Sequence, residues 1–129
     1  MSHILVVDDD SAIRDVVSDI LQMSDYRVKT ATNGAEALDL VQADRPAAVL
    51  LDLMMPVMDG WEFLRRCRGL EYCSQVPVVV MSAAHDVATT ADQLGAHGYL
   101  AKPFDMDDVL DVVSRAAHSR AYFKGGASI

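Results

Sequence analysis

The sequence switches between two hydrophobic periods, and it does so five times along its length. Short runs that are mostly or wholly apolar alternate with longer stretches in which apolar residues recur at i, i+3, i+4 and i+7. The first pattern reads as a strand covered on both faces, the second as a helix with one buried face. Ile4-Leu-Val-Val7 is the first run and ends in Asp8, Asp9 and Asp10. Ile13, Val16, Val17, Ile20 and Leu21 then keep helical spacing. A strand at about Tyr26–Ala31 follows, and Asn33-Gly-Ala-Glu36 has the form of a capping box opening a helix to about Asp44. After Pro46, the run Ala47–Leu51 ends in Asp52. A loop, Leu53-Met-Met-Pro-Val-Met-Asp-Gly60, leads to a third helix with Phe63, Leu64 and Cys67 on one face. Val76–Met81 is the most hydrophobic strand and ends at Ser82. A fourth helix, about Asp86–Leu94, stops at Gly95. Gly98–Ala101 is a fifth strand, and Lys102-Pro-Phe leads to a last helix carrying Val109, Leu110, Val113, Ala116 and Ala117 at helical spacing.

Helices alternating with apolar strands imply an α/β fold, a parallel sheet with helices on both faces and right-handed crossovers. With 129 residues, the chain holds one such domain. The domain is expected over residues 1–123, with 124–129 as a flexible C-terminal tail. In sheets of this kind the binding site lies beyond the carboxyl ends of the strands. Those ends carry Asp8 and Asp9, then Asp52, then Ser82, then Lys102. Each alone has a bland reading: a helix cap, as Asp10 and Ser11 provide, or a turn residue. Placed at four strand ends together, they form a chemical inventory.

Three carboxylates brought together repel one another unless a cation intervenes. Asp8, Asp9 and Asp52 carry three negative charges against the single positive charge of Lys102, a deficit that one divalent cation balances. Oxygen ligands without His or Cys favour a hard ion, Mg²⁺ or Mn²⁺, over zinc. The formal net charge of −8 argues against nucleic acid as a direct partner, because phosphate contacts need clustered Lys and Arg. No apolar run approaches the ~20 residues of a membrane helix. Acids at positions 8–10 interrupt the region where a secretory signal would remain apolar, so the expected location is the cytoplasm. Cys67 and Cys73 read as a part-buried helix thiol and a loop thiol, since a disulfide framework goes with short secreted chains richer in cysteine. His3, His85, His97 and His118 are scattered without metal-ligand spacing.

These residues carry a resemblance. Ile4-Leu-Val-Val-Asp-Asp-Asp10, Leu51-Asp-Leu-Met-Met-Pro-Val-Met-Asp-Gly60, Val78-Val-Val-Met-Ser-Ala-Ala84 and Gly98-Tyr-Leu-Ala-Lys-Pro-Phe104 resemble the response-regulator receiver family of two-component signalling, over nearly the whole sequence. The resemblance implies a flavodoxin-like doubly wound (βα)5 fold, a five-stranded sheet of order 2-1-3-4-5, and a cis peptide before Pro103. It implies that Asp52 is the phosphoacceptor, attacking the phosphohistidine of a sensor histidine kinase or phosphotransfer protein. Asp9, Asp52 and the backbone carbonyl of Met54 would bind Mg²⁺ directly, and Asp8 through a water. Lys102 and Ser82 would meet phosphoryl oxygens. Ser82 and Tyr99 would form the switch that alters the surface of helix four, strand five and helix five for a downstream partner. Helix four, with only Ala88, Ala91 and Leu94 facing inward, is thinly anchored, as mobile segments are.

Some features depart from parts of the family. Receivers joined to winged-helix domains commonly carry an acidic pair before the fifth-strand aromatic, used in dimerisation; here those positions are His97 and Gly98. That leaves a monomer or weak dimer. The chain is either a stand-alone receiver or part of a regulator with an effector domain. One rival reading is a haloacid-dehalogenase-like phosphatase, but that family wants a second Asp two residues after the nucleophile, where Met54 stands. Another is a phosphorylation-independent interaction domain, although degenerate receivers lose an acid, the acceptor or the Lys, and all are present. Flavin binding lacks its Ser/Thr/Gly-rich phosphate loop. The expectation is a signalling receiver that catalyses only its own phosphorylation and slow dephosphorylation, not a turnover enzyme.

Overall fold

A computed structural model describes residues 2–83 and 87–118. Five strands, β1 (Ile4–Val7), β2 (Val28–Ala31), β3 (Ala48–Asp52), β4 (Val78–Ser82) and β5 (Gly98–Ala101), form one sheet. Every pairing is parallel and the order is β2-β1-β3-β4-β5, as the resemblance implies. The helices are α1 (Ser11–Met23), α2 (Gly34–Ala43), α3 (Gly60–Arg68), α4 (Val87–Gln93) and α5 (Met106–Ala117).

Side chains alternate across a strand, so each apolar run supplies two cores. Leu5, Val7, Val49, Leu51, Val78 and Val80 pack with α2, α3 and Ala91 of α4. Ile4, Val6, Leu50, Val79 and Met81 face the other way, against Val17 and Leu21 of α1 and Val109, Val112 and Val113 of α5. The central strands β1, β3 and β4 are buried at every position, which is why they read as continuous runs rather than alternating ones.

The helix ends follow local chemistry. Asp10 caps α1, its carboxylate accepting from the Ala12 N–H at 2.9 Å, and Asp59 caps α3 through the Glu62 N–H at 2.9 Å. Asn33 caps α2 by accepting from the Glu36 N–H, but Glu36 reaches back to the N–H and hydroxyl of Thr32 rather than to Asn33, so the expected box closes one residue earlier. A reciprocal capping box forms instead at α5, between Asp105 and Asp108. Val16 on α1 and Ala88 on α4, expected inside, are exposed. α5 ends at Ala117, and the expected tail 124–129 lies outside the described residues, as does His85.

The cysteines correct the sequence reading. Cys67 and Cys73 form a disulfide, with S–S 2.01 Å and Cα atoms 4.9 Å apart. Cys67 lies in the last turn of α3 and Cys73 in the turns that lead to β4. Both point into the same apolar cluster, so folding alone brings the sulfurs together. His3 is likewise inside, 4% exposed.

Closing a loop of this length removes chain entropy worth roughly 2 kcal/mol in the loop-closure picture. Reductant is expected to lower the melting temperature by about 5–10 °C. Calorimetry with and without a phosphine reductant checks this, with the Cys67→Ala/Cys73→Ala double variant as a control whose melting does not respond.

Candidate functional site

The parallel sheet delivers the carboxyl ends of its three central strands and of the edge strand β5 to one place. Asp8 immediately follows β1 and is 0% exposed; Asp52 is the last residue of β3 and Ser82 the last of β4, and both are buried. Lys102 directly follows β5, its backbone N–H donating to the Ser82 carbonyl at 2.9 Å. The Lys102–Pro103 peptide is cis.

The Lys102 ammonium sits between two acids, 3.1 Å from Asp8 Oδ2 and 3.5 Å from Asp52 Oδ1. Asp9 is exposed at the mouth, and single carboxylate oxygens of Asp8, Asp9 and Asp52 lie within 4.8 Å of one another. The other Asp8 oxygen accepts the Asp10 N–H at 2.9 Å. Arg14, a residue the sequence reading passed over, donates from Nη1 to the Asp8 carbonyl at 2.7 Å. It anchors the turn between β1 and α1, a role with no signature in the sequence.

Burial is the main reason that the Asp52 carboxyl rises from 3.8 to about 6, and the field of Asp8 adds to it. Lys102 and the backbone N–H of Met54, which donates to Asp52, pull the other way without cancelling the rise. Burial also works against the Lys102 cation, but its hydrogen bond to Asp8 and the fields of Asp52 and Asp8 win, and its pKa is raised. One cation thus leaves Asp52 under-compensated.

The loop after β3 is fixed by close backbone contacts. Gly60 donates its N–H to the Leu53 carbonyl at 3.0 Å, and a Cβ there would stand 2.6 Å from the Asp52 carbonyl oxygen. Only glycine lets α3 begin this close to Asp52. Within the loop Val57 holds φ at 68°, a left-handed conformation that costs a β-branched residue about 1–2 kcal/mol. The Gly34 N–H bonded to the Met58 carbonyl at 2.8 Å holds the neighbouring residue in place. Tyr99, on edge strand β5, keeps its ring half exposed.

Asp8, Asp9, Asp52 and Lys102 therefore meet at one point as the sequence predicts, and Ser82 ends the strand beside Asp52. Met54 contributes a backbone N–H to the Asp52 carboxylate, and its side chain is largely exposed.

Comparison with known proteins agrees with this geometry. The family model of the response regulator receiver domain matches residues 4–114. Response regulator MprA of Mycobacterium tuberculosis (strain H37Rv) is 42% identical over 110 residues, covering 84% of this chain and 47% of that protein. The chain thus spans about half the length of that relative. Sporulation initiation phosphotransferase F of Bacillus subtilis is 37% identical over 112 residues, covering 87% of this chain and 90% of that protein. Among solved structures, the receiver domain of sensor histidine kinase PA1611 from Pseudomonas aeruginosa, described with a magnesium ion in its active-site cleft, is 29% identical with a TM-score of 0.82. The match covers 90% of this chain and 97% of that one. Five parallel strands in this order, ending in this acid–lysine cluster, place the chain in the response regulator receiver domain family.

Proposed function

We propose that the chain accepts a phosphoryl group onto Asp52, delivered by the phosphohistidine of a sensor histidine kinase or phosphotransfer protein. The observation that carries this reading is the position of the Asp52 carboxylate, at the end of the central strand with Lys102 on one side and the Asp8–Asp9 pair around it. In the reaction an Asp52 oxygen attacks phosphorus and the imidazole leaves, giving an acyl phosphate. Lys102 is placed to meet a phosphoryl oxygen as a point charge, and the Ser82 hydroxyl to donate to another.

The donor set fits a hard divalent cation. Three converging carboxylates, all oxygen ligands, exceed the charge that Lys102 supplies, and the field of Asp8 adds to the burial that raises the Asp52 pKa. Asp9, Asp52 and the Met54 carbonyl would hold Mg²⁺ or Mn²⁺, with Asp8 acting through a water. When bound, the cation supplies charge neutralisation at the transferring phosphoryl group.

The downstream reading is a switch. An acyl phosphate adds roughly one negative charge at Asp52. Ser82 and Lys102 answer it, and the space Ser82 vacates is what the half-exposed Tyr99 ring can fill. A protein partner, or an effector domain beyond this segment, then reads the surface of α4, β5 and α5. The chain acts in the cytoplasm as a monomer or weak dimer and catalyses only its own phosphorylation and slow dephosphorylation. Among the described residues no helix is long and apolar enough to cross a membrane.

Incubation with acetyl phosphate and Mg²⁺ is expected to add one phosphate to wild type and none to Asp52→Asn, read by intact mass; equal yield in the variant refutes the assignment. A second expectation concerns the metal. Asp9→Ala abolishes the Mg²⁺-induced change in fluorescence of Trp61, the single tryptophan, which follows the acceptor loop and is 40% exposed. A variant that titrates like wild type contradicts the ligand set.

The third expectation follows from the raised Asp52 pKa. A carboxyl that binds its proton more tightly when folded stabilises the native state fully below about pH 4, and this contribution is lost as pH rises through about 6. Metal-free Asp52→Asn is therefore more stable than wild type at pH 7–8, by on the order of 1–2 kcal/mol after allowing for solvent screening. The advantage disappears near pH 4. Urea unfolding across this range reads it.

A further inference from the structure

Several bonds converge on the trailing end of α4. Among its described side chains, residues 88–93, only Ala91 is buried, so that stretch has little apolar anchorage. Its trailing end is bonded closely. Ala96 donates its N–H to the Ala91 carbonyl at 2.9 Å and Gly95 donates to Asp92 at 3.1 Å, with Gly95 at φ 71°. These are the paired 6→1 and 5→2 bonds of a Schellman stop with glycine in the left-handed position. One residue later, His97 and Val78 of β4 exchange two bonds: the His97 N–H meets the Val78 carbonyl at 2.8 Å, and the Val78 N–H meets His97 Nδ1 at 3.2 Å.

A further bond comes from across the molecule. Arg68, the last residue of α3, donates from Nη2 to the Gly95 carbonyl at 2.9 Å, while its Nη1 is buried. The end of α3 that carries this arginine is tied to the segment before β4, because the neighbouring Cys67 is joined to Cys73 by the disulfide. Neither arginine earlier in α3 does this: Arg65 and Arg66 both bond Glu62 on their own helix. A charged donor on a carbonyl that the helix stop leaves open is worth more than a neutral bond, and a cation also suits the negative end of a helix.

We propose that Arg68 is a pivot post for α4, holding the Gly95 corner so that any switching movement is confined to the end of α4 nearest Ser82. This rests on the reading of Ser82 and α4 as a switch, in that the pivot has a purpose only if the leading end moves. A rigid trailing end converts a small shift at Ser82 into a rotation of α4 about Gly95, and β5 keeps its register against β4 through His97.

The test follows single amides by NMR hydrogen exchange in wild type, Arg68→Met and Arg66→Ala, first without metal or phosphate mimic. Methionine keeps the aliphatic stem and removes the guanidinium. The amides of Leu94, Gly95, Ala96 and His97 are expected to exchange about 5- to 10-fold faster in Arg68→Met. Those of β1 and β3 stay unchanged, and Arg66→Ala behaves as wild type. With Mg²⁺ and beryllofluoride added, wild type changes ahead of residue 93 only, whereas in Arg68→Met the change extends through His97. Wild-type exchange at residues 94–97 in Arg68→Met overturns the pivot, as does a uniform acceleration over the whole sheet. If the mimic alters neither protein, the phosphoacceptor reading fails, while the comparison of the metal-free proteins still decides the pivot.

Discussion

The Lys102 ammonium lies between Asp8 and Asp52, and the open end of the sheet is organised around that contact. Buried carboxylates are costly unless a cation answers them, and in a parallel sheet every strand delivers its last residue to the same edge. Lys102 comes from the far side of the domain in sequence, after β5, so the ion pairs form only when β1, β3, β4 and β5 are all in place. The pairs thus link correct assembly of the sheet to the chemistry at its end. They also stop short of neutrality, and the three carboxylates could hold a metal ion.

The surrounding backbone keeps that arrangement tight. Gly60 lets α3 start against the Asp52 carbonyl, and the Asp59 cap fixes the direction in which the helix leaves. At the other end of α3 the disulfide and Arg68 extend the same rigidity to the corner that follows α4. The loop after β3 and the corner that follows α4 are thereby attached to one short helix. Among the described side chains of α4, residues 88–93, only Ala91 is buried, and thinly packed segments are the ones that rearrange at low cost.

Much of this was legible in the sequence because it depends on period and position. Fully apolar runs announced β1, β3 and β4 as strands covered on both faces, and the acids at the ends of β1 and β3 lie together beside Lys102. What stayed hidden depends on contacts between distant segments. The Cys67–Cys73 bond arises because the last turn of α3 and the approach to β4 enter one apolar cluster, and two cysteines in a sequence of ordinary composition carry no sign of that. Arg14 on the Asp8 carbonyl and Arg68 on the Gly95 carbonyl bond to backbone, and a carbonyl leaves no trace in the residue type that owns it. Val16 and Ala88 kept helical spacing yet face solvent, since periodicity gives the direction of a face but not how far the neighbouring layer covers it.

The central claim is that the converged carboxylates form one cation and phosphoryl site at Asp52. A crystal structure with Mg²⁺ and beryllofluoride tests it most directly. The account predicts a beryllium–oxygen bond at Asp52, with the metal about 2.1 Å from carboxylate oxygens of Asp9 and Asp52 and from the Met54 carbonyl. It also predicts that Lys102 and Ser82 contact the fluorides. A mimic bound to another acid, or a cation held away from Asp9 and Asp52, would contradict it.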